Sequence, residues 1–343
     1  MPATSSRRLL KALFVLSLLA AVALGGWFWV RYQGFADAPI ALAGTERILV
    51  VESGDGFRDI LRKLRGLGVV EGHDLEWKAL AHEMQVVTRL QVGEYTIRHG
   101  ITPRELLAKL ESGKVIQQRF TIVEGWNLRE LRAALAKDPT LGQTLADTPD
   151  DGLMAALGRD DAHPEGRFLP ETYHYTRGMS DRDLLVRAAM AMDKALADAW
   201  AMRSPDSPLK SPDELLVLAS IVEKETGKPS ERAEIAGVFT RRLVKGMLLQ
   251  TDPTVIYGMG SAYDGNIRRK DLETDTPYNT YTRPGLPPTP IALPGRAALV
   301  AAAQPADGDT LYFVSRGDGS HVFSATLAEH NRAVACHQLK RCR

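Results

Sequence analysis

Nineteen consecutive residues without a charge, Ala12–Val30, set the first limit on what this chain can become. A helix rises about 1.5 Å per residue, so a run of that length just reaches across the hydrocarbon layer of a bilayer. It closes on Trp27-Phe28-Trp29, aromatics suited to the lipid–water boundary, and Arg7, Arg8 and Lys11 precede it. The pattern predicts residues 1–11 in the cytoplasm, residues 12–30 as a transmembrane helix, and everything after Arg31 outside. That describes a single-pass protein of the inner (cytoplasmic) membrane with its bulk in the periplasmic, extracytoplasmic space. A cleaved signal peptide is the competing account, with Ala21-Val22-Ala23 as its small-residue cleavage site. The apolar run continues past that site through Val30, which favours the anchor. Under either account most of the chain is exported.

The 343 residues leave room for two domains, and 44% apolar with 25% charged residues is ordinary for a folded protein. A formal net charge of +1 argues against a nucleic-acid partner, which calls for a concentrated basic surface. The two cysteines, Cys336 and Cys342, sit together at the C-terminus, where an exported chain can close a small disulfide loop or leave free thiols. His330 and His337 are near, but structural zinc wants four ligands at defined spacing. No metal and no cofactor is expected.

Residues 31–46, rich in Ala and Gly, read as a tether. From Ile48 the pattern changes to a β-rich run, a Gly-containing turn, then Phe57, Ile60, Leu61 and Leu64 at helical spacing. A second helix is expected near Asp74–His82 and a strand over Gly93–Ile97. Thr102, Pro103 and Glu105 open a further helix as a capping box with proline at its first position. Residues 47–114 therefore form one small unit. Its strand, SGDGF-type turn and helix resemble the peptidoglycan-binding LysM-like modules of exported wall enzymes, although a plain spacer would satisfy the same pattern.

Residues 115–343 carry the candidate chemistry. A strand at Gln118–Val123 and a helix from Asn127 lead to Gly166–Tyr175, an aromatic, polar, proline-marked run. Leu184–Trp200 is helical. Next comes LLVLASIVEKET, Leu215–Thr226, opened by Ser211 as cap with Pro212 and Glu214 in the first turn, and stopped by Gly227 and Pro229. Two glutamates end this otherwise apolar helix. At roughly 100° per residue, Glu223 and Glu225 point about 200° apart, so they cannot both serve one site. Glu225 shares its face with Leu218, Ile221 and Val222, whereas Glu223 shares its face with Leu216, Ala219 and Ser220. Apolar surroundings raise a carboxyl pKa, and an acid held protonated near neutral pH is what cleaving a glycosidic bond needs. Glu225 is the better candidate, with solvated last-turn residues as the bland alternative.

After the amphipathic helix of Ser230–Lys245, polar side chains, aromatics and prolines alternate over about forty residues. Gln250, Thr251 and Asp252 supply a polar rim, while Tyr257, Tyr278, Asn279 and Tyr281 supply rings and amides. Stacking on a sugar face and bonding its hydroxyls need both kinds of side chain. A closing hairpin brings His321 and Asn331 into consideration, although a lone histidine serves a structural role as readily.

Residues 118–334 resemble the endolytic murein transglycosylases. The matching stretches are Glu124-Gly125, Phe168–Tyr173, Ala219–Thr226, Leu249–Gly258, Tyr278–Tyr281, Gly285–Pro288 and Ser320–Phe323. The anchor and the LysM-like module are similar to that family's too, so the fold class implied is α+β with those two additions. The resemblance implies peptidoglycan glycan strands as substrate, cut at the β-1,4 bond between MurNAc and GlcNAc with formation of a 1,6-anhydro end. It implies Glu225 as the catalytic acid; Glu171, Asp252 and Tyr281 are the groups expected to position substrate or stabilise charge, and a cutter of new strands is expected beside peptidoglycan synthases. A muramidase-type hydrolase and a non-catalytic wall-binding scaffold are the alternatives.

Overall fold

The apolar N-terminal run forms one long helix, α1 (Ala3–Asp37), in a computed structural model that describes residues 3–159 and 163–341. Cys342, and the side chains of Arg7, Arg8 and Lys11, lie outside the described part. The stretch Leu13–Asp37 is long and apolar enough to cross a membrane, and its most apolar window is not buried within the protein.

The chain divides into two units, Met1–Gln118 with Thr176–Gly178, and Arg119–Tyr175 with Met179–Arg343. In the first, β1 (Glu46–Val51) pairs antiparallel with β2 (Gly93–Arg98), from Glu46 opposite Arg98 to Val51 opposite Gly93. Between them lie α2 (Phe57–Gly66) and α3 (Asp74–Glu83), and α4 (Pro103–Ser112) follows. Their core gathers Leu49, Ile60, Leu64, Trp77, Tyr95 and Leu106. The capping box forms as its residues predict: Thr102 Oγ1 accepts from the Glu105 N–H at 3.2 Å, and Glu105 Oε2 accepts from the Thr102 N–H at 3.0 Å. The tether composition is a different matter. α1 continues to Asp37, and Phe35, Ala36, Ile40 and Leu42 are buried. Gly72 permits this seat, because a Cβ there would stand 2.2 Å from the Phe35 ring.

The second unit contains β3 (Gln118–Thr121) from Arg119 on, α5 (Leu128–Leu135), α6 (Leu153–Ala156), β4 (Thr172–Tyr175), α7 (Asp181–Ala201), α8 (Pro212–Glu225), α9 (Arg232–Val244), α10 (Asp252–Met259), α11 (Arg269–Glu273), α12 (Arg296–Ala303), β5 (Tyr312–Ser315), β6 (His321–Ser324) and α13 (Leu327–His337). β3 pairs with β4 and β5 with β6, so the sheets are small and the helices carry the core. α8 is central. Every residue from Leu215 to Val222 is buried, and α7, α9 and α12 pack around it. Ser211 caps it as expected, accepting from the Glu214 N–H at 3.2 Å, while Glu214 reaches back to the Lys210 N–H at 2.6 Å. The Tyr312–Ser315 strand is only half-buried at Tyr312 and Phe313, both of which line a groove. Cys336, on α13, is disulfide-bonded.

Candidate active site

α8 ends at Glu225 because Thr226 turns to extended backbone, with φ −145° and ψ 132°. A carboxyl on the last residue of a helix meets the negative end of the dipole, which disfavours its anion. Glu225 opens into a groove of about 430 Å³ that Arg242, Gln250, Asp252, Tyr281, Tyr312 and His321 also line. That volume is in the range of ligand sites. Desolvation dominates its titration and pushes the pKa up to about 7. The Thr251 hydroxyl bond works against that rise, the charge of Asp252 adds to it, and the charges of His321 and Arg242 oppose it. The residue as a whole is half-buried, so the acid is enclosed yet reachable. Leu249, Phe313 and Val314 supply apolar wall. The shelter is thus less purely aliphatic than helical spacing predicts.

The loop before α10 holds the acid in place. The Thr251 hydroxyl donates to Glu225 Oε1. Thr251 is the N-cap of α10, yet its side chain makes no cap bond and serves the acid instead. The Thr251 N–H donates to Thr280 Oγ1 at 3.1 Å, and the Thr254 and Thr280 hydroxyls meet at 2.9 Å. Gln250 takes a left-handed φ of 52°, an uncommon state for a residue with a Cβ, and its N–H donates to the Thr280 carbonyl at 3.1 Å. The Tyr281 hydroxyl donates to Asp252 Oδ1 at 2.6 Å.

Glu223, two residues earlier, is occupied elsewhere. Its Oε2 accepts from the Gly295 N–H at 2.9 Å, and Oε1 lies 3.7 Å from the Arg232 guanidinium. Burial raises its pKa too, but it does not line the groove.

Of the residues singled out in the sequence, Gln250, Thr251, Asp252 and Tyr281 gather at Glu225. Glu171 does not. It is exposed and pairs with Arg296 at 3.0 Å. Tyr257 and Tyr278 meet edge to face at 4.8 Å and line a second cavity, of about 530 Å³, together with Glu165. Asn279 is buried and ties its own loop, donating to the carbonyls of Leu272 at 3.0 Å and Thr274 at 2.7 Å.

Sequence reasoning missed several groove residues. Arg242 is buried, donates to the Leu311 carbonyl at 2.7 Å and the Leu249 carbonyl at 2.8 Å, and lies 5.1 Å over the Tyr312 ring. Tyr312 in turn stacks on His330 at 5.3 Å. His330, rather than the exposed Asn331, is the α13 residue in the groove. His321 is indeed there, and it is not alone: its Nδ1 lies 2.8 Å from Glu231 Oε2. An adjacent Arg241-Arg242 pair reads as a solvated charge run, and nothing in the local spacing links Glu231 to a histidine ninety residues later.

A model of the YceG-like family matches residues 49–336. The chain is similar to the endolytic murein transglycosylase of Bacillus subtilis (strain 168), at 33% identity over 260 residues, which is 71% of this chain and 72% of that protein. It is 29% identical over 369 residues to the endolytic murein transglycosylase of Streptococcus pneumoniae serotype 2 (strain D39), covering 94% of this chain and 65% of that protein. A solved YceG-like protein from Listeria monocytogenes superposes with a TM-score of 0.55 at 30% identity, over 84% of this chain and 99% of that one.

Proposed function

The chain belongs to the YceG-like family, and we infer that Glu225 is the one proton carrier with which it acts as an endolytic murein transglycosylase. The enzyme is a lytic transglycosylase acting on peptidoglycan, as its relatives' names indicate. The observation that carries the residue assignment is geometric. Glu225 brings a carboxyl of pKa about 7 to the floor of a polar, aromatic groove. Thr251 holds Oε1, and no bond to Oε2 occurs among the described residues.

The protonated Oε2 gives its proton to the oxygen between MurNAc and GlcNAc as the C1–O bond breaks. The carboxylate so formed takes the proton of the muramyl C6 hydroxyl, whose oxygen bonds to C1 and closes a 1,6-anhydro ring. Proton and bond counts balance without water. An intramolecular nucleophile carries an effective molarity of about 10⁵–10⁸ M, so a second catalytic carboxylate is unnecessary. Asp252, oriented by Tyr281, faces the positive charge that develops at C1. Arg242 and the Glu231-held His321 offset the negative charge Glu225 acquires in mid-reaction.

The β1–α2–α3–β2 order of the first unit supports the LysM-like reading, and the length of α1 supports an anchor in the inner membrane with the enzyme on the periplasmic side. Work beside peptidoglycan synthases fits a cutter of new strands.

Asp252 beside Glu225 also favours a second reading, a muramidase that hydrolyses the same bond. Mass spectrometry of wall digested by the full chain separates the two. Fragments lighter by one water than their hydrolytic counterparts support the lyase, and reducing-ended products alone would overturn it.

A further inference from the structure

We propose that the first unit rests on the lipid surface through Trp27, Phe28, Val70 and Leu75, so that α1 and this unit dock to the bilayer as one rigid piece. The proposal rests on the reading of α1 as an anchor. Its apolar run stops at Val30, and the fold of the unit begins within the next turn. Arg31 pairs with Glu76 at 3.1 Å, and the Tyr32 hydroxyl donates to Glu83. Phe35 meets Trp77 edge to face at 5.4 Å. Asp37 pairs with Arg104 at 3.0 Å. No free linker separates span from unit.

That junction fixes which surface faces lipid. Trp27 and Phe28, at the depth where aromatic belts sit, line one hollow with His73, Leu75 and Ala79. His73 and Leu75 also line an adjoining hollow with Val70. Leu75 is 77% exposed and Val70 78% exposed, whereas most other Leu and Val residues of this unit beyond α1 are buried or half-buried. Scattered singly they would mean little. Here they continue the apolar surface of a helix that itself needs a bilayer. The acids of the patch are each engaged: Asp74 with Arg65 at 3.2 Å, Glu76 with Arg31, and Glu71 with the Ala41 N–H at 2.7 Å. Approach to headgroups therefore strips no unpaired carboxylate, and Arg31 and Arg65 can lie with their stems along the interface.

The test is spin-label accessibility on the full chain in phosphatidylethanolamine–phosphatidylglycerol nanodiscs. Single variants Leu19→Cys, Val70→Cys and Leu75→Cys each carry a nitroxide, and Cys336 is already disulfide-bonded and does not compete. The expected result is oxygen-dominated relaxation at all three, deep for position 19 and at headgroup depth for 70 and 75. Adding Val70→Glu to the Leu75→Cys chain should shift position 75 toward a nickel-chelate-dominated signal. Nickel-dominated relaxation at 70 and 75 with position 19 still in lipid overturns the docking while the anchor stands. Shielding of 70 and 75 from both relaxers assigns the patch to a protein contact and also overturns it. Nickel access at all three removes the anchor, and the docking with it.

Discussion

Two carboxyls in the second unit, Glu225 and Glu165, are pushed by burial to the same pKa of about 7, yet their surroundings suit them to opposite roles. Glu165 sits where α5 begins. Its oxygens accept from the Leu128 N–H at 3.1 and 3.2 Å, and the Tyr257 hydroxyl donates to Oε2 at 3.0 Å. Both oxygens have a donor, and the positive end of a helix dipole faces them. Glu225 sits where α8 ends, at the negative end, with Thr251 on one oxygen and the groove before the other. A raised pKa therefore marks burial in both and availability in one. What separates a proton donor from a buried brace is the unfilled oxygen.

The largest effect that tests this contrast is on turnover. Glu225→Gln should lower kcat about 10³-fold with KM nearly unchanged, because an acid–base group is typically worth about 10²–10⁴. Glu165→Gln should instead cost about 1–3 kcal/mol of stability and leave kcat within about tenfold, since it disturbs a satisfied buried network. Thermal melts and turnover on purified glycan strands read both variants. A Glu165 variant that melts normally but is inactive would put the acid in the wrong cavity.

The pH profile comes next. In the proposed mechanism the acid form of Glu225 begins the reaction, and rate should then fall as pH rises through about 7. Stability follows the same sign. Both folded-state pKa values lie above the unfolded value of about 4.3, so the stability these groups contribute is whole below that pH and is lost as pH climbs through about 7. Glu225→Gln should flatten the fall in melting temperature across that window. An equally steep fall in the variant would show that Glu225 is ionised throughout.

How much of this was open to the sequence depended on chain distance. α8, its Ser211 cap and the separation of Glu223 from Glu225 follow from residues a few positions apart, and periodicity plus capping chemistry reads those directly. The same holds for the Thr102–Glu105 box and the β5–β6 hairpin. α10 was harder. Gln250, Thr251 and Asp252 read as a polar rim and Tyr257 as a groove aromatic, but Pro253 in the first turn starts a short helix over Asp252–Met259. Arg242, Tyr312 and His330 meet in the groove from α9, β5 and α13, and Glu231 reaches the groove residue His321 from the turn before α9. Only packing brings such distant positions together, and no local period announces it. Glu165 escaped notice because its partners, Leu128 and Tyr257, lie 37 residues before and 92 residues after it.

Smaller shifts should come from the charges around the acid. Asp252→Asn removes the anion that helps keep Glu225 protonated and should move the alkaline limb to lower pH. His321→Gln removes an opposing charge and should move it higher, with a rate loss of about tenfold. Glu231→Gln should do the same more weakly, because the histidine remains but loses the partner 2.8 Å away that orients it. Limbs that move together in one direction would mean that these groups act through structure rather than charge.

The smallest effect belongs to Glu223, and it sharpens the comparison most finely because it shares a helix with the acid. A glutamine there still offers an oxygen to the Gly295 N–H and loses only the attraction to Arg232 at 3.7 Å, a pair of which Arg232 keeps part through Glu124 at 3.9 Å. Glu223→Gln should therefore cost about 1 kcal/mol or less and leave turnover and the alkaline limb in place. Burial raises the pKa of this carboxyl as it does that of Glu225, so a strong loss of kcat here, with the melt unchanged, would mean that the proton leaves from the other face of α8.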